Sequence, residues 1–121
     1  MTDSVIKAAV VLLADTDTPE GMGRMANALT TARELKEEGD EVKVIFDGAG
    51  TKWAAELADG HKYSELLDQV RDKVEGACAY CANAYQVTDQ VEAAGIDLID
   101  DFDGHPSLRG LIRDGYRILT F

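Results

Sequence analysis

The segment VIKAAVVLLA, residues Val5 to Ala14, is the part of the sequence that decides the fold class. It is almost continuously apolar and rich in β-branched residues, which is typical of a strand buried on both faces of a parallel sheet. A polar loop follows, in which Thr18 can cap a helix that begins at Pro19. Apolar residues recur at helical spacing up to Gly39, which suits the left-handed position that ends a helix. This stretch therefore predicts a strand followed by a crossover helix.

The alternation of strands and helices continues to the end of the sequence. We predict further strands at Glu41 to Asp47, Val74 to Ala79, Ile96 to Ile99 and Tyr116 to Phe121, and helices at Trp53 to Leu57, Tyr63 to Val74, Cys81 to Ala94 and His105 to Ile112. A chain of 121 residues with 45% hydrophobic content suits one domain, residues 1–121. Five strands separated by helical segments imply an α/β fold, a parallel sheet with helices on both faces.

Acidic residues outnumber basic ones along the whole chain. There are 23 Asp and Glu against 12 Lys and Arg, and the net charge is -11. Nucleic acids and anionic membranes are bound by clustered cations, so we expect neither as a partner. The acidic residues are expected to form a solvated surface, as in an organism with a salty, halophilic cytoplasm.

The sequence also bears on where the protein works. The longest apolar run, Ala8 to Ala14, is too short to span a bilayer. The N-terminal residues Met1 to Ser4 show neither a basic region nor a cleavage site. We therefore expect a cytoplasmic protein, in which two cysteines are too few for a disulfide framework.

Ligands of parallel sheets bind where the strands end at their carboxyl edge. In this chain those ends are Asp15 to Thr18, Asp47 to Gly50, Cys78 to Cys81 and Asp100 to His105. Both cysteines lie in the segment GACAYCANAY, residues Gly76 to Tyr85, at the start of a predicted helix. Unpaired backbone N–H groups and the helix dipole favour a thiolate there, so we expect Cys78 to be the more nucleophilic cysteine. Cys81 lies about one turn further, close enough for a disulfide or a shared persulfide.

Spacing alone leaves three interpretations of the cysteine pair open. Cysteine is often buried, so Cys78 and Cys81 could be inert packing residues. They could equally be reactive thiols. A metal site is the least favoured, because a closed zinc site needs four ligands, while His61 and His105 are far apart in the sequence and no second cysteine pair exists.

Other residue patterns point to little further chemistry. No glycine-rich phosphate loop is present, and we expect no cofactor and no resident metal. His105, which precedes Pro106, can supply a general base near the thiols or serve only as a turn residue. Trp53 and Tyr85 are assigned to the core or to an interface.

Three segments resemble the DsrE/DsrF-like proteins, which include sulfur-relay subunits. These are ALTTARELKEEGDEVKVIFDGAGTKW (28–53), GACAYCANAYQV (76–87) and DLIDDFDGHPSLRGLIRDGYRILTF (97–121). The resemblance covers nearly the full length and implies a three-layer α/β/α sandwich with a five-stranded parallel sheet, assembled as homo-oligomers such as trimers or hexamers. In the sulfur-relay members a cysteine after a central strand carries a persulfide, and that position is Cys78 here. Cys81 matches a second cysteine found in a subset of small relatives.

Two functional hypotheses follow from different classes of protein. In the first, the resemblance implies a sulfur-transfer protein, in which Cys78 accepts sulfur from a donor protein, holds it as a persulfide and passes it to an acceptor protein. Cys81 is able to attack the persulfide and discharge it as a disulfide. In the second, the chain is a non-catalytic oligomeric module that binds a small ligand or a protein partner, and both cysteines are structural. A dithiol oxidoreductase is less favoured because the proline-containing context of thioredoxin is missing.

Overall fold

Five parallel strands form a single sheet, as predicted. The computed structural model describes residues 5–121, and the expectation that residues 1–4 hold no targeting signal falls outside them. The strands are β1 (Lys7–Leu12), β2 (Glu41–Phe46), β3 (Val74–Cys78), β4 (Leu98–Ile99) and β5 (Arg117–Thr120). Their order across the sheet is β4-β3-β2-β1-β5, and every neighbouring pair is parallel. The most apolar segment, β1, therefore lies inside the sheet between β2 and β5.

Within the described residues, six α-helices connect the strands. They are α1 (Pro19–Glu37), α2 (Thr51–Leu57), α3 (Ser64–Asp68), α4 (Ala79–Ala84), α5 (Thr88–Ala93) and α6 (Leu108–Arg113). Single 3-10 turns lie at Gly48–Gly50 and Arg71–Lys73. Within residues 5–121, no helix combines the length and the apolar content that a membrane crossing requires.

The first helix begins and ends at the residues that the sequence indicates. The Thr18 hydroxyl accepts a hydrogen bond from the backbone N–H of Gly21 at 2.9 Å, which satisfies one of the free donors of the first turn. Pro19 takes the first helical position. Gly39 follows the helix with φ +80°, a conformation that glycine adopts without strain.

The main core lies between one face of the sheet and the helices α1, α2, α3 and α5. It is built from alternate strand residues such as Val44 and Phe46 and from Trp53 of α2, all fully buried. The opposite face is covered mainly by the short helix α6, whose Leu111 lines a cleft with Ile45 and Ile99. The fold is thus a three-layer α/β/α sandwich in which the second helical layer is thin.

Three predicted helices are longer than the real ones. The helix predicted over His105 to Ile112 begins only at Leu108, because His105 lies in a turn with Phe102. The helix predicted over Tyr63 to Val74 ends at Asp68, because the chain turns through Arg71–Lys73 to bring Val74 beside Val44 in the sheet. The helix predicted over Cys81 to Ala94 is broken into α4 and α5 at Gln86, which has φ +60°. The break lets α5 pack Val91 into the core. Tertiary packing therefore shortened helices whose sequences favour continuation.

Candidate functional site

Three of the four predicted strand ends converge on one cluster. It contains Asp47 after β2, Cys78 at the end of β3, Cys81 in α4 and His105 in the loop after β4. One donor atom from each residue lies within 4.8 Å of all the others. The remaining strand end does not join this cluster, since the Asp15 carboxylate forms an ion pair with Lys52 at 2.6 Å.

The two cysteines face different environments. Cys78 is fully buried and forms the N-cap of α4, where its Sγ accepts a hydrogen bond from the backbone N–H of Cys81 at 3.3 Å. Cys81 is half-buried, and its Sγ donates to Oδ1 of Asp47 at 3.5 Å. Both are free thiols. The proximity expected from the spacing is confirmed, and Cys81 is the more exposed of the two.

His105 is held against Cys78 by a tight turn. Its Nδ1 lies 3.3 Å from Cys78 Sγ. His105 exchanges backbone hydrogen bonds with Phe102, and Asp103 and Gly104 between them both have positive φ, as in a type I′ turn. The turn is tied to the start of α4 because the N–H of Tyr80 donates to the Gly104 carbonyl at 2.9 Å. Of the two roles considered for His105, this placement permits the general base.

The protonation of Cys78 differs from the expectation. Burial raises the pKa of the Cys78 thiol to about 12, and the neighbouring Cys81 thiol and the Asp47 charge act in the same direction. The Cys81 N–H lowers the pKa, as predicted for a cysteine at a helix start, but this effect is outweighed. The expectation of a stabilised thiolate at Cys78 is therefore wrong for this conformation. The reason is that α4 has only six residues while the sulfur is removed from water.

Asp47 is the fourth member of the cluster. The sequence pointed only to the strand end Asp47 to Gly50 and gave Asp47 itself no role. Its carboxylate accepts a hydrogen bond from the Gly48 N–H at 2.9 Å and so has a defined orientation towards Cys81. The signal in the sequence was its position directly after a buried parallel strand. The sequence disfavoured a metal site because too few possible ligands lie near the cysteines along the chain. In the folded protein Asp47, after β2, and His105, in the loop after β4, lie beside both cysteines, so this objection no longer holds.

Other residues considered as functional lie elsewhere. His61 packs its ring against Trp53 and Tyr63 and is not part of the cluster. Trp53 is a fully buried core residue, and its indole N–H donates to the Asp15 carbonyl at 3.2 Å. Tyr85 is 44% exposed and is thus not a core residue. Tyr80, which the sequence did not single out, places its ring 4.8 Å from that of His105.

This fold and this cluster define a small α/β protein with a cysteine pair at the carboxyl edge of a parallel sheet. The chain belongs to the DsrE/DsrF-like family, whose sequence profile matches residues 9–121. The resemblance seen in the sequence is thereby confirmed.

Individual relatives support the family and the fold. The chain is 35% identical over 96 residues to an uncharacterized protein of Methanocaldococcus jannaschii, and the match covers 78% of each chain. The structure of the present chain is similar to that of a conserved protein of unknown function from Bacteroides thetaiotaomicron, with a TM-score of 0.64. That match covers 93% of this chain and 94% of the other at 18% identity, so it bears on the fold alone.

Proposed function

We propose that this protein transfers sulfur by carrying it as a persulfide on Cys78. The observation that carries the proposal is the contact of Cys78 Sγ with His105 Nδ1 at 3.3 Å, beside the second thiol of Cys81. A nucleophile within hydrogen-bond reach of a base is the arrangement that nucleophilic chemistry requires. Sulfur as the cargo is supported by membership in the DsrE/DsrF-like family, which is associated with sulfur relay.

Uptake of sulfur needs a base because the pKa of about 12 keeps Cys78 protonated at neutral pH. His105 Nδ1 accepts the thiol proton while Cys78 Sγ attacks the terminal sulfur of a donor persulfide, R–S–SH. The sulfur–sulfur bond of the donor breaks as the bond to Cys78 forms. The leaving thiolate then takes the proton from His105. The products are R–SH and Cys78–S–SH, with no net oxidation or reduction.

Release of sulfur has two routes from Cys78–S–SH. An acceptor thiol can attack the outer sulfur, which restores the Cys78 thiol and leaves the acceptor as a persulfide. In the absence of an acceptor, Cys81 attacks Cys78 Sγ, forms a Cys78–Cys81 disulfide and releases hydrogen sulfide. Asp47 is placed to receive the Cys81 proton, since its Oδ1 already accepts a hydrogen bond from Cys81 Sγ. An external dithiol reductant would return that disulfide to two thiols.

Burial sets the direction from which a donor arrives. Cys78 has no exposed surface, whereas Cys81 is partly open to solvent. We infer that donor and acceptor proteins reach Cys78 from the side of Cys81, past the exposed ring of Tyr80.

A cytoplasmic location is part of this proposal, because free thiols persist in a reducing compartment. Cell fractionation with a protein tagged at one end would test the location.

The experiment is persulfide formation on the metal-free, reduced protein. After incubation with a low-molecular-weight persulfide, intact-mass spectrometry should show the gain of one sulfur atom at early times, before Cys81 discharges the persulfide, and in Cys81→Ser the gain should persist until a thiol reductant removes it. Cys78→Ser should abolish the gain. His105→Gln should slow it, while the matched control His61→Gln leaves the rate unchanged. If Cys78→Ser takes up as much sulfur as the unmodified protein, the proposed function is wrong.

The full burial and the raised pKa of Cys78 favour a second candidate, the non-catalytic module with structural cysteines. This candidate predicts that both thiols react slowly with iodoacetamide in the native protein and rapidly after unfolding. Rapid native labelling of either cysteine would argue against it. A chain that takes up no sulfur and protects both thiols would favour it over sulfur transfer.

We also propose that the chain forms homo-oligomers, trimers or hexamers, as the family resemblance implies. The large apolar side chain of Phe102 is 69% exposed and is a candidate contact between chains. Light scattering during gel filtration should give a mass of several chains. Phe102→Asp should reduce that mass if this surface is the interface, and Tyr63→Asp serves as a control at an exposed aromatic outside the cluster.

A further inference from the structure

Two donor-atom pairs of the cluster have the spacing of a tetrahedral metal site, and all the other pairs lie within about 1 Å of that range. Zinc binds sulfur at about 2.3 Å and nitrogen or oxygen at about 2.0 Å, which puts neighbouring ligand atoms roughly 3.3 to 3.8 Å apart. Here Cys78 Sγ and His105 Nδ1 are 3.3 Å apart, and Cys81 Sγ and Asp47 Oδ1 are 3.5 Å apart. All four donor atoms lie within 4.8 Å of one another. Only a small contraction would bring them round one ion.

The chemistry of the donors selects among metals. Two thiolates and an imidazole suit borderline and soft ions such as Zn²⁺, whereas Mg²⁺ and Ca²⁺ require oxygen ligands. A carboxylate is an accepted fourth ligand of zinc. The cluster therefore fits Zn²⁺ better than the hard divalent cations.

The ligands are also supported by their neighbours. The Gly48 N–H orients the Asp47 carboxylate, and the Cys81 N–H donates to Cys78 Sγ. His105 is fixed by its tight turn and by contact with the Tyr80 ring. Such contacts hold the metal-binding side chains in place and reduce the free-energy cost of assembling a site around an ion.

We propose that one Zn²⁺ ion binds in this cluster with four ligands: Cys78 Sγ, Cys81 Sγ, His105 Nδ1 and Asp47 Oδ1. Binding displaces one proton from each thiol to solvent and changes no oxidation state. The bound ion links the carboxyl ends of β2, β3 and β4. It occupies both sulfur atoms, so the zinc-loaded protein cannot accept a persulfide. The zinc site does not depend on sulfur transfer being the function.

Cobalt is the probe for the ligand set, because tetrahedral Co²⁺ bound to thiolate absorbs strongly by charge transfer. The metal-free, reduced protein should bind one Co²⁺ per chain with that absorption, and added Zn²⁺ should abolish it. Competition with a chromogenic chelator then measures Zn²⁺ affinity. Asp47→Asn and His105→Gln should each weaken it by about tenfold or more, the scale on which zinc sites respond to lost contacts.

Matched controls and a second measurement make the test decisive. His61→Gln and Asp59→Asn, which change the same residue types outside the cluster, should leave Zn²⁺ affinity unchanged. The varied ligands Asp47 and His105 are only half-buried, and circular dichroism checks that both variants fold. Zinc should also raise the Tm of the unmodified protein, since an ion bound only to the folded state stabilises it.

Two results would overturn the zinc site. One is the absence of thiolate-to-cobalt absorption at saturating Co²⁺. The other is Zn²⁺ affinity in Asp47→Asn and His105→Gln equal to that of the unmodified protein. Sulfur uptake is measured separately on metal-free protein. A chain that binds zinc as described but takes up no sulfur refutes the proposed function alone, and the reverse result refutes the zinc site alone.

Discussion

The unequal burial of the two cysteines predicts that alkylation of the native protein is strongly selective. The pKa of Cys78 rises from its ordinary 9.0 to about 12, mainly because the residue is fully buried. Each pKa unit reduces the thiolate fraction tenfold at a pH below both values. The Cys78 thiolate is therefore roughly a thousandfold scarcer than that of an ordinary thiol, and the thiolate is the species that reacts with iodoacetamide. Restricted access reduces the rate further.

The assay is a time course of iodoacetamide labelling on metal-free, reduced protein at about pH 8, read by peptide fragmentation that assigns each label to one cysteine. Cys81 should be labelled first. Cys78 should react at least about a thousandfold more slowly than it does in denaturant, and its rate should rise about tenfold per pH unit up to about pH 10. Equal labelling of both cysteines, or a Cys78 rate that levels off near pH 9, would refute the reasoning from burial.

Three further predictions concern stability, measured by urea unfolding. The free energy of unfolding should fall as the pH rises from about 9 towards about 12, because the folded state holds the Cys78 proton more tightly than the unfolded state; Cys78→Ala should remove this contribution. Gly50→Ala should lower the free energy of unfolding by about 1–3 kcal/mol, because its Cβ would lie 1.9 Å from the Leu12 carbonyl oxygen. Gly23→Ala, which has open space around it in α1, should raise the free energy of unfolding by up to about 1 kcal/mol. Thr18→Ala should cost about 1 kcal/mol by removing the cap of α1, and Thr18→Ser should restore most of it.

Only part of the candidate site could be predicted from the sequence. The position of Cys78 and Cys81 at the carboxyl edge followed from strand and helix patterns alone. The approach of Asp47 to the sulfur atoms did not follow, and that of His105 was only one of two roles considered for it. Their approach depends on the parallel pairing of β2 with β3 and of β3 with β4, which joins segments far apart in the chain. The direction of the Cys78 pKa shift also escaped prediction, because burial is a property of the packed molecule.

The sequence by itself determined the five strands, their parallel arrangement, the caps of α1 and the placement of the cysteine pair. These features depend on side-chain periodicity and on contacts between residues a few positions apart, so they can be read locally. Only the tertiary structure decided where the helices after Tyr63 and Cys81 end, which cysteine is buried, and that a carboxylate and an imidazole meet the two thiols. Those outcomes depend on packing and on sheet register, which join residues that no local pattern connects.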